Sequence, residues 1–380
     1  MLNTPRVRRG YSRADQPGQA VRELANDLTQ PDAALVIAFA SSTYPRRALA
    51  AGLTAAFPDT CVVGCTTAGE LTPLGYRRGT LTGVSLAAPE FQAVARRIDN
   101  LEEFSVADGV ELVQDGLTSL SRRMPGMRTD QVFAMLLIDG LSACEERVVS
   151  GLYQALGEIP LFGGSAGDDL AFRETGVLYG GAFHSNAAVL LLVATQNPFE
   201  VFKTEHFVAS DEKMVVTEAD PTRRVVTEIN AEPAALEYAR VHGVQIDELT
   251  PMMFAAHPVV VKVGGVPYVR SIQKVNPDGS LTFYCAIDEG IVLTAATGVD
   301  ITENLRDAFR RVQSRIGPAQ LVIGCDCILR NLELAQNDIL DDVSCLLADQ
   351  RVIGFNTYGE QFGAMHVNQT FTGVAIGYGG

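Results

Sequence analysis

The chain of 380 residues is long enough for two domains, each able to bury a core. Hydrophobic residues make up 47% and charged residues 20%, which is typical of a globular protein and excludes a disordered chain. The net charge of −15 excludes a broad basic surface for nucleic acid and argues against docking on anionic lipid. The sequence therefore predicts neither a nucleic-acid partner nor a membrane partner.

The N-terminus and the cysteines indicate the compartment. Residues 1–9 are basic but lack the apolar run of a signal peptide, and no apolar run reaches the roughly 18 residues of a membrane span. The seven cysteines are scattered and odd in number, which is typical of reduced thiols. We therefore expect a cytoplasmic protein.

In the first half of the chain, helix-like and strand-like segments alternate. Apolar residues at helical spacing predict a helix over Pro17–Leu28, and the apolar run at residues 35–40 predicts a buried strand. Residues 80–87 and 91–98 predict an antiparallel pair of strands interrupted at Pro89. A second strand and helix follow at residues 133–138 and 143–156.

The second half contains more hairpins. Residues 259–263 and 267–275 predict strands joined by a turn at Gly264 and Gly265, and the apolar stripe at residues 305–316 predicts a helix. The dipeptide Asn197-Pro198 marks a boundary between two predicted domains, residues 1–197 and 198–380. Frequent hairpins among helices predict the α/β class, with mixed β-sheets covered by helices.

One short motif recurs along the chain. Residues 62–70 read Val-Val-Gly-Cys-Thr-Thr-Ala-Gly-Glu, and residues 352–360 read Val-Ile-Gly-Phe-Asn-Thr-Tyr-Gly-Glu. A looser copy at residues 162–168 has Ser for Thr and Asp for Glu. Each copy follows a strand-like and a helix-like segment. The repeat predicts units of one strand–helix–strand–strand topology at residues 31–98, 130–195 and 318–378.

The repeated turn offers glycines that let the backbone approach a ligand, and a Thr and a Glu as polar anchors. The alternative is a turn whose Thr and Glu side chains bond only to their own surroundings. If the turns form a ligand crevice, its predicted polar walls are Thr67, Glu70, Arg330, Thr357, Glu360 and Asn368. Cys327 and Arg330 follow a strand and add a thiol and a guanidinium to this set.

Catalysis is a less favoured alternative. Residues 163–167 fit the Gly-x-Ser-x-Gly pattern of a serine nucleophile, but no helical stripe follows Ser165 as that motif requires. A hydrolase would use Ser165 or the thiol of Cys327.

The five histidines show no metal-ligand spacing, and there is no Cys-x-x-Cys-His segment for covalent haem. A single histidine can still ligate haem iron. Taken one by one, the histidines are expected to be structural.

In combination, these motifs resemble the FIST family, the F-box and intracellular signal transduction domains. The first half resembles the N-terminal FIST segment in Val63-Gly64 to Gly69-Glu70 and in Gly163 to Asp168. The second half resembles the C-terminal segment in His257-Pro258, Cys327-x-x-Arg330 and Asn368-Gln369-Thr370. The resemblance implies a sensory, ligand-binding protein that is not an enzyme. It also implies signalling in trans to a histidine kinase or a cyclic-di-nucleotide enzyme.

The segment around His206 is similar to a nitric-oxide-sensing haemoprotein branch of that family. This likeness predicts haem b, with His206 ranked first as the axial ligand, followed by His257 and His366. Arg330, Arg270 or Lys262 would face the propionates. The rival prediction is a sensor of an amino acid or another small metabolite without haem. The sequence leaves a homodimer open.

Overall fold

The computed structural model describes residues 6–263 and 265–379. Mixed sheets are covered by helices, which confirms the predicted α/β class. The predicted turn residue Gly264 lies outside the described residues.

The first part of the chain contains the predicted helix Pro17–Leu28 with those bounds, because its apolar stripe buries Val21, Leu24 and Leu28. In chain order its elements are β1 (Val7–Ser12), α1 (Pro17–Leu28), β2 (Ala33–Ser41), α2 (Arg46–Ala56), β3 (Cys61–Thr67), β4 (Glu70–Thr72), β5 (Gly75–Arg77), β6 (Leu81–Ala87), β7 (Phe91–Asp99), α3 (Val106–Arg123), β8 (Val132–Ile138), α4 (Glu145–Leu156), β9 (Leu161–Ser165), β10 (Val177–Tyr179), β11 (Ala182–His184) and β12 (Ala187–Thr195).

The remaining elements include the predicted helix near residues 305–316, which begins at Ile301. In chain order they are β13 (Phe199–Glu205), β14 (Phe207–Asp220), β15 (Val225–Ile229), β16 (Glu232–Pro233), α5 (Ala234–His242), α6 (Pro251–Ala256), β17 (Val259–Val263), β18 (Val266–Arg270), β19 (Ile272–Val275), β20 (Leu281–Phe283), β21 (Val292–Gly298), α7 (Ile301–Ile316), β22 (Ala319–Cys327), α8 (Ile328–Gln336), α9 (Leu340–Asp349), β23 (Val352–Thr357), β24 (Glu360–Phe362), β25 (Met365–Val367) and β26 (Thr370–Gly377).

The three repeated units share one topology, as the sequence predicted. In each unit a helical segment connects the first strand to a parallel second strand, and the last strand lies antiparallel to the first. The three sets of strands are β2, β3 and β6; β8, β9 and β12; and β22, β23 and β26. The third unit differs in having two helices, α8 and α9, between its parallel strands.

One glycine in each second strand allows this pairing. A Cβ on Gly64 would lie 1.9 Å from the carbonyl oxygen of Ala38, the residue opposite on the first strand. The equivalent distance is 2.0 Å at Gly163 and 1.8 Å at Gly354. These distances exclude any side chain, so the repeated glycine is required by the close approach of two backbones.

The short hairpin of each unit joins the sheet of a different unit. Hairpin β4–β5 of the first unit pairs with β23, hairpin β10–β11 of the second pairs with β3, and hairpin β24–β25 of the third pairs with β9. The three sheets enclose one apolar core in which Phe39 stacks on Phe355 with ring centroids 4.9 Å apart. The exchange makes the units interdependent.

Strand β7 does not pair with β6, so the predicted antiparallel pair at residues 80–87 and 91–98 is wrong. Strand β6 is already hydrogen-bonded on both edges, to β1 and to β2. The chain therefore crosses to the second unit, where β7 pairs with β12. Strand β13 leaves the second unit in the same way and pairs with β26.

Residues 207–298 form a separate layer with its own core. Its sheet has the order β18-β17-β21-β14-β15-β20-β19, with β16 paired to β15, and α5 and α6 cover it. The predicted boundary at residues 197 and 198 lies between β12 and β13. The third unit, which follows that boundary in sequence, packs with the first two around their common core.

Candidate functional site

The three units create three equivalent crevices. In each, the carboxyl ends of two parallel strands lie beside a hairpin from another unit, and such ends are where α/β sheets bind ligands. We name the crevice after the unit that supplies the parallel strands. The residue opposite the hairpin's central position is Phe183 in the first crevice, His366 in the second and Tyr76 in the third.

The third crevice is filled by the protein's own side chains. Tyr76 donates its hydroxyl hydrogen to Asp326 at 2.5 Å, and Arg330 Nε donates to Asp326 Oδ1 at 2.8 Å. Both side chains of the Arg330–Asp326 ion pair are fully buried. The predicted anchor Arg330 is therefore committed to a protein partner.

His206 extends this buried network. Arg330 Nη1 donates to His206 Nδ1 at 2.8 Å, so the other ring nitrogen, Nε2, carries the hydrogen and donates to Glu333 Oε2 at 2.8 Å. Burial lowers the pKa of His206, and the charge of Arg330 lowers it further, against the opposing effect of Glu333. The neutral ring thus has both nitrogens engaged.

The Thr and Glu of the repeated motif form what we call a Thr–Glu–Thr clasp. Thr67 donates to Glu70 Oε1 at 2.5 Å, and Thr80 donates to Oε2 through its hydroxyl at 2.7 Å and its backbone N–H at 2.9 Å. The second clasp, Thr357–Glu360–Thr370, has the same hydrogen bonds. Burial raises the pKa of Glu70 to about 7 and that of Glu360 to about 8.

The looser second motif forms no clasp. Glu70 and Glu360 each pair with the residue that follows a repeated glycine. In the second unit's hairpin that position is occupied by Val177, which pairs with Cys65. Asp168 instead accepts hydrogen bonds from the backbone N–H groups of residues 172–174 at 2.8 to 2.9 Å, and one from the Tyr358 hydroxyl. Asp168 therefore does not occupy the position of the motif glutamates, since the eight residues 169–176 separate it from the hairpin.

The first crevice is closed by local contacts. Arg46 at the start of α2 pairs with Glu174 at 2.9 Å, and the hydroxyl of Thr66 accepts a hydrogen bond from the backbone of Gly176 at 3.1 Å. The hairpin residues that face this crevice, Leu178 and Phe183, are apolar and pack on the neighbouring core.

In the described part of the chain, the second crevice contains several buried polar atoms without partners, whereas the third contains one, Arg330 Nη2. Among the described residues, none hydrogen-bonds to Gln361 Oε1, to His366 Nε2 or to either polar side-chain atom of Asn368. The three side chains are at most 2% exposed. A buried unpaired polar group is destabilising by about 1–3 kcal/mol, so such a cluster needs an explanation.

A directed chain of hydrogen bonds leads to these atoms. Ser165 donates to Glu145 Oε1 at 3.4 Å and accepts from Gln361 Nε2 at 3.0 Å. Gln361 Nε2 also lies 3.3 Å from His366 Nδ1. The crevice thus joins the start of α4 and the end of β9 to the third unit's hairpin.

Residues 207–298 complete the second crevice on its other side. Arg224 Nη2 contacts Glu145 Oε2 and Glu146 Oε2, each at 2.6 Å. The backbone N–H of Ala286 donates to Glu146 Oε1 at 2.6 Å. Burial acts to raise the pKa of Glu146, but His366 and Arg224 together lower it. One guanidinium of the residue 207–298 layer therefore faces both carboxylates at the start of α4.

Further polar groups lie at this junction. Ser271 Oγ and Gln369 Oε1 are also buried without partners among the described residues. The guanidinium of Arg270 lies close enough to Cys285 to lower the pKa of its thiol against the raising effect of burial. Within the described chain, Arg270 forms no ion pair with a carboxylate.

The predicted site residues thus separate into two groups. The second crevice and its rim contain His366, Asn368 and Arg270. Cys327 lies deeper, in an apolar cluster with Tyr284 and Tyr358. The polar atoms of the other predicted residues are engaged elsewhere, in the third crevice for Arg330 and His206 and in the two clasps for Thr67, Glu70, Thr357 and Glu360. His257 is exposed beside His242.

Three residues of the second crevice, Gln361, Glu145 and Arg224, were not predicted from the sequence. Gln361 directly follows the motif Glu in the third unit, so the motif frame could have indicated it. Glu145 and Arg224 gave no signal, because 79 positions separate the partners of this ion pair.

These surroundings do not fit haem, which needs an accessible ring nitrogen and an apolar slot. Both nitrogens of His206 are engaged, His257 lies at the surface, and His366 is bordered by Gln361 and Glu146. We therefore derive no step through haem. In the part of the chain that the structure describes, no group of three or more His, Cys, Asp or Glu side chains is placed to hold a metal ion.

The geometry also gives little support to hydrolysis. Ser165 contacts Glu145 and Gln361, and within the described residues it forms no hydrogen bond to a histidine. Burial raises the pKa of Cys327 well above its ordinary value, so its thiolate is disfavoured.

Comparison with protein families gives two matches, the FIST N domain over residues 34–232 and the FIST C domain over residues 234–363. The chain belongs to the FIST family. FIST domains are sensory domains of signal transduction. A search of curated proteins finds no match. No helix in the described part of this FIST protein is long and apolar enough to cross a membrane.

Proposed function

We propose that this FIST protein is a sensor whose second crevice binds a small polar metabolite, such as an amino acid. The observation that carries the proposal is the cluster of buried polar atoms without partners on Gln361, His366 and Asn368. A ligand that hydrogen-bonds to these atoms would offset the free energy lost by burying them.

The other two crevices support this assignment as internal comparisons. They have the same backbone arrangement, but the first is closed by Arg46 and Glu174, and the third is filled by Tyr76, Asp326 and Arg330. The second crevice has neither arrangement. A few convergent polar groups in a concave site are the general mark of small-ligand binding.

The position of the crevice also suits a sensor. Three parts of the chain supply its walls: the second unit contributes Glu145, the third unit contributes His366, and residues 207–298 contribute Arg224. A ligand held by all three parts would change their relative stability, and this change could be read by a partner. A histidine kinase or a cyclic-di-nucleotide enzyme acting in trans, and a homodimer, remain predictions.

The test is a thermal-shift and calorimetric screen of the purified protein with the twenty amino acids and with haemin. We expect at least one amino acid to raise the melting temperature, and Asn368→Leu to abolish that shift. Without ligand, Asn368→Leu should be as stable as the wild type or more so, since it removes a buried amide that has no partner.

Gln30→Leu is the matched control, because Gln30 is a buried amide that donates to Ser85 Oγ of the first unit at 2.8 Å. It should lower stability and leave binding unchanged. If Asn368→Leu binds the amino acid as tightly as the wild type does, the assignment of the second crevice as the binding site is wrong. A stoichiometric Soret band that is lost in His366→Ala would instead support haem b and a nitric oxide sensor.

A further inference from the structure

The second crevice contains two N–H groups that indicate which charge its ligand carries. This inference rests on the proposed function. They belong to His366 and Asn368, which follow one another on and after β25. A Cβ built on Gly359 would lie 2.7 Å from His366 Nε2 and 2.9 Å from Asn368 Nδ2. Both nitrogens therefore converge on the same side of Gly359, where only a glycine leaves room for them.

The hydrogen on His366 can be assigned from the hydrogen-bond chain. The carboxylate of Glu145, paired with Arg224, only accepts, so the hydroxyl of Ser165 donates to it. The oxygen of Ser165 then accepts from Gln361 Nε2, and the same amide nitrogen donates to His366 Nδ1. Since Nδ1 accepts, the hydrogen of the neutral ring lies on Nε2, and the protonated ring that lowers the pKa of Glu146 carries a hydrogen there as well. Gln361 is thus a positioning residue that makes Nε2 a donor.

Two carboxylates and two guanidinium groups lie at this junction. The Nη atoms of Arg224 contact Glu145, Glu146 and the carbonyl of Tyr284, the last at 2.5 Å. Arg270 has no carboxylate partner among residues 6–263 and 265–379, and it lies on the side of Cys285 and Ser271. Arg270 is therefore the second cation at this junction, beside the guanidinium that Glu145 and Glu146 share.

We propose that the ligand of the second crevice carries a carboxylate group. His366 Nε2–H and Asn368 Nδ2–H donate to its oxygens, and Arg270 is the cation of this junction that has no carboxylate partner among the described residues. Hydrogen bonds from N–H groups to an ionised oxygen are stronger than those to a neutral carbonyl, so the crevice selects the acid over its amide. The amide oxygens of Gln361 and Gln369 then accept donors from the remainder of the ligand.

The experiment measures binding of matched acid and amide probes to the full-length chain by calorimetry and ligand-observed NMR. The pairs are acetate and acetamide, succinate and succinamide, and glycine and glycinamide. We expect the acids to bind about tenfold or more tightly than their amides. Equal affinities within every pair would overturn the carboxylate assignment and leave the proposed function standing. If no member of any pair binds, the carboxylate assignment is overturned, whereas the proposed function fails only when none of the twenty amino acids binds.

Two substitutions separate a direct contact from a structural effect. Asn368→Asp replaces the donor by a carboxylate, so it should abolish binding of the acids and leave the amides bound. His366→Phe removes the donor, while His366→Gln restores an N–H group near the position of Nε2 and should recover acid binding. Acid binding that survives in Asn368→Asp, with a melting temperature close to that of the wild type, would contradict the contact.

Discussion

The buried carboxyl of Glu360 makes the stability of the protein depend on pH. Glu360 is 0% exposed, and burial raises its pKa from an ordinary 4.5 to about 8. Because the folded-state pKa is the higher one, the folded protein retains a proton that the unfolded chain has already released. The stabilising contribution is complete below pH 4.5, falls as the pH rises, and is lost above about pH 8.

The size of the effect follows from one proton. Each pH unit inside this window changes the free energy of unfolding by about 1.4 kcal/mol per proton. Between about pH 5.5 and about pH 7.5 the contribution of Glu360 therefore falls by roughly 3 kcal/mol. Glu360→Gln keeps the shape of the protonated carboxyl but does not titrate, and its amide can still bond to Thr357 and Thr370. We expect the variant to lose roughly 3 kcal/mol less than the wild type over this range.

Urea unfolding followed by circular dichroism at closely spaced pH values measures this difference. Glu70→Gln is the matched control, since Glu70 sits in an equivalent clasp with a pKa of about 7. Its effect should have the same sign and should end about one pH unit lower. If Glu360→Gln follows the pH dependence of the wild type, Glu360 is ionised in the folded state and the reasoning is refuted.

Two further predictions concern stability. Arg330→Ala leaves Asp326 buried without its ion-pair partner and should lower the free energy of unfolding by about 3–5 kcal/mol. Arg315→Ala removes an exposed pair with Glu200 and should change the free energy of unfolding by less than about 1 kcal/mol. Equal values for the two variants would contradict the buried network. Gly354→Ala places a Cβ 1.8 Å from a backbone oxygen and should prevent stable folding, while Gly18→Ala, whose Cβ meets only Arg22 at 3.7 Å, should melt as the wild type does.

The sequence was sufficient for the features that depend on local periodicity. Helix α1 was predicted with its observed bounds, because its buried residues recur at helical spacing. The repeat was also predictable, since Gly64, Gly163 and Gly354 are each required by a backbone contact. The hairpin exchange was not, because the pairing of β4 with β23 leaves no local pattern in either strand. The absence of a local pattern also explains why β7 was wrongly predicted to pair with β6.

The candidate site was predictable only in part, for a related reason. His366, Asn368 and Arg270 lie at or after strand ends, where polar side chains are recognisable in the sequence. Their position close to Glu145 depends on two long-range contacts, the pairing of the third unit's hairpin with β9 and the packing of residues 207–298 on α4. Conversely, Arg330 has the residue type of a ligand anchor, but its partner Asp326 lies only four positions away and binds it internally.

The exchanged hairpins also determine how the chain can acquire its structure. Leu71 pairs with Gly354, about 280 positions later, so the first hairpin has no sheet to join until nearly the whole chain has left the ribosome. The edge of β9 likewise stays unpaired until β24 has been synthesised. A fragment ending at residue 232, where the FIST N match ends, would expose both unfinished edges to aggregation. The two FIST segments should therefore fold and melt as one cooperative body, even though they are separate units in sequence.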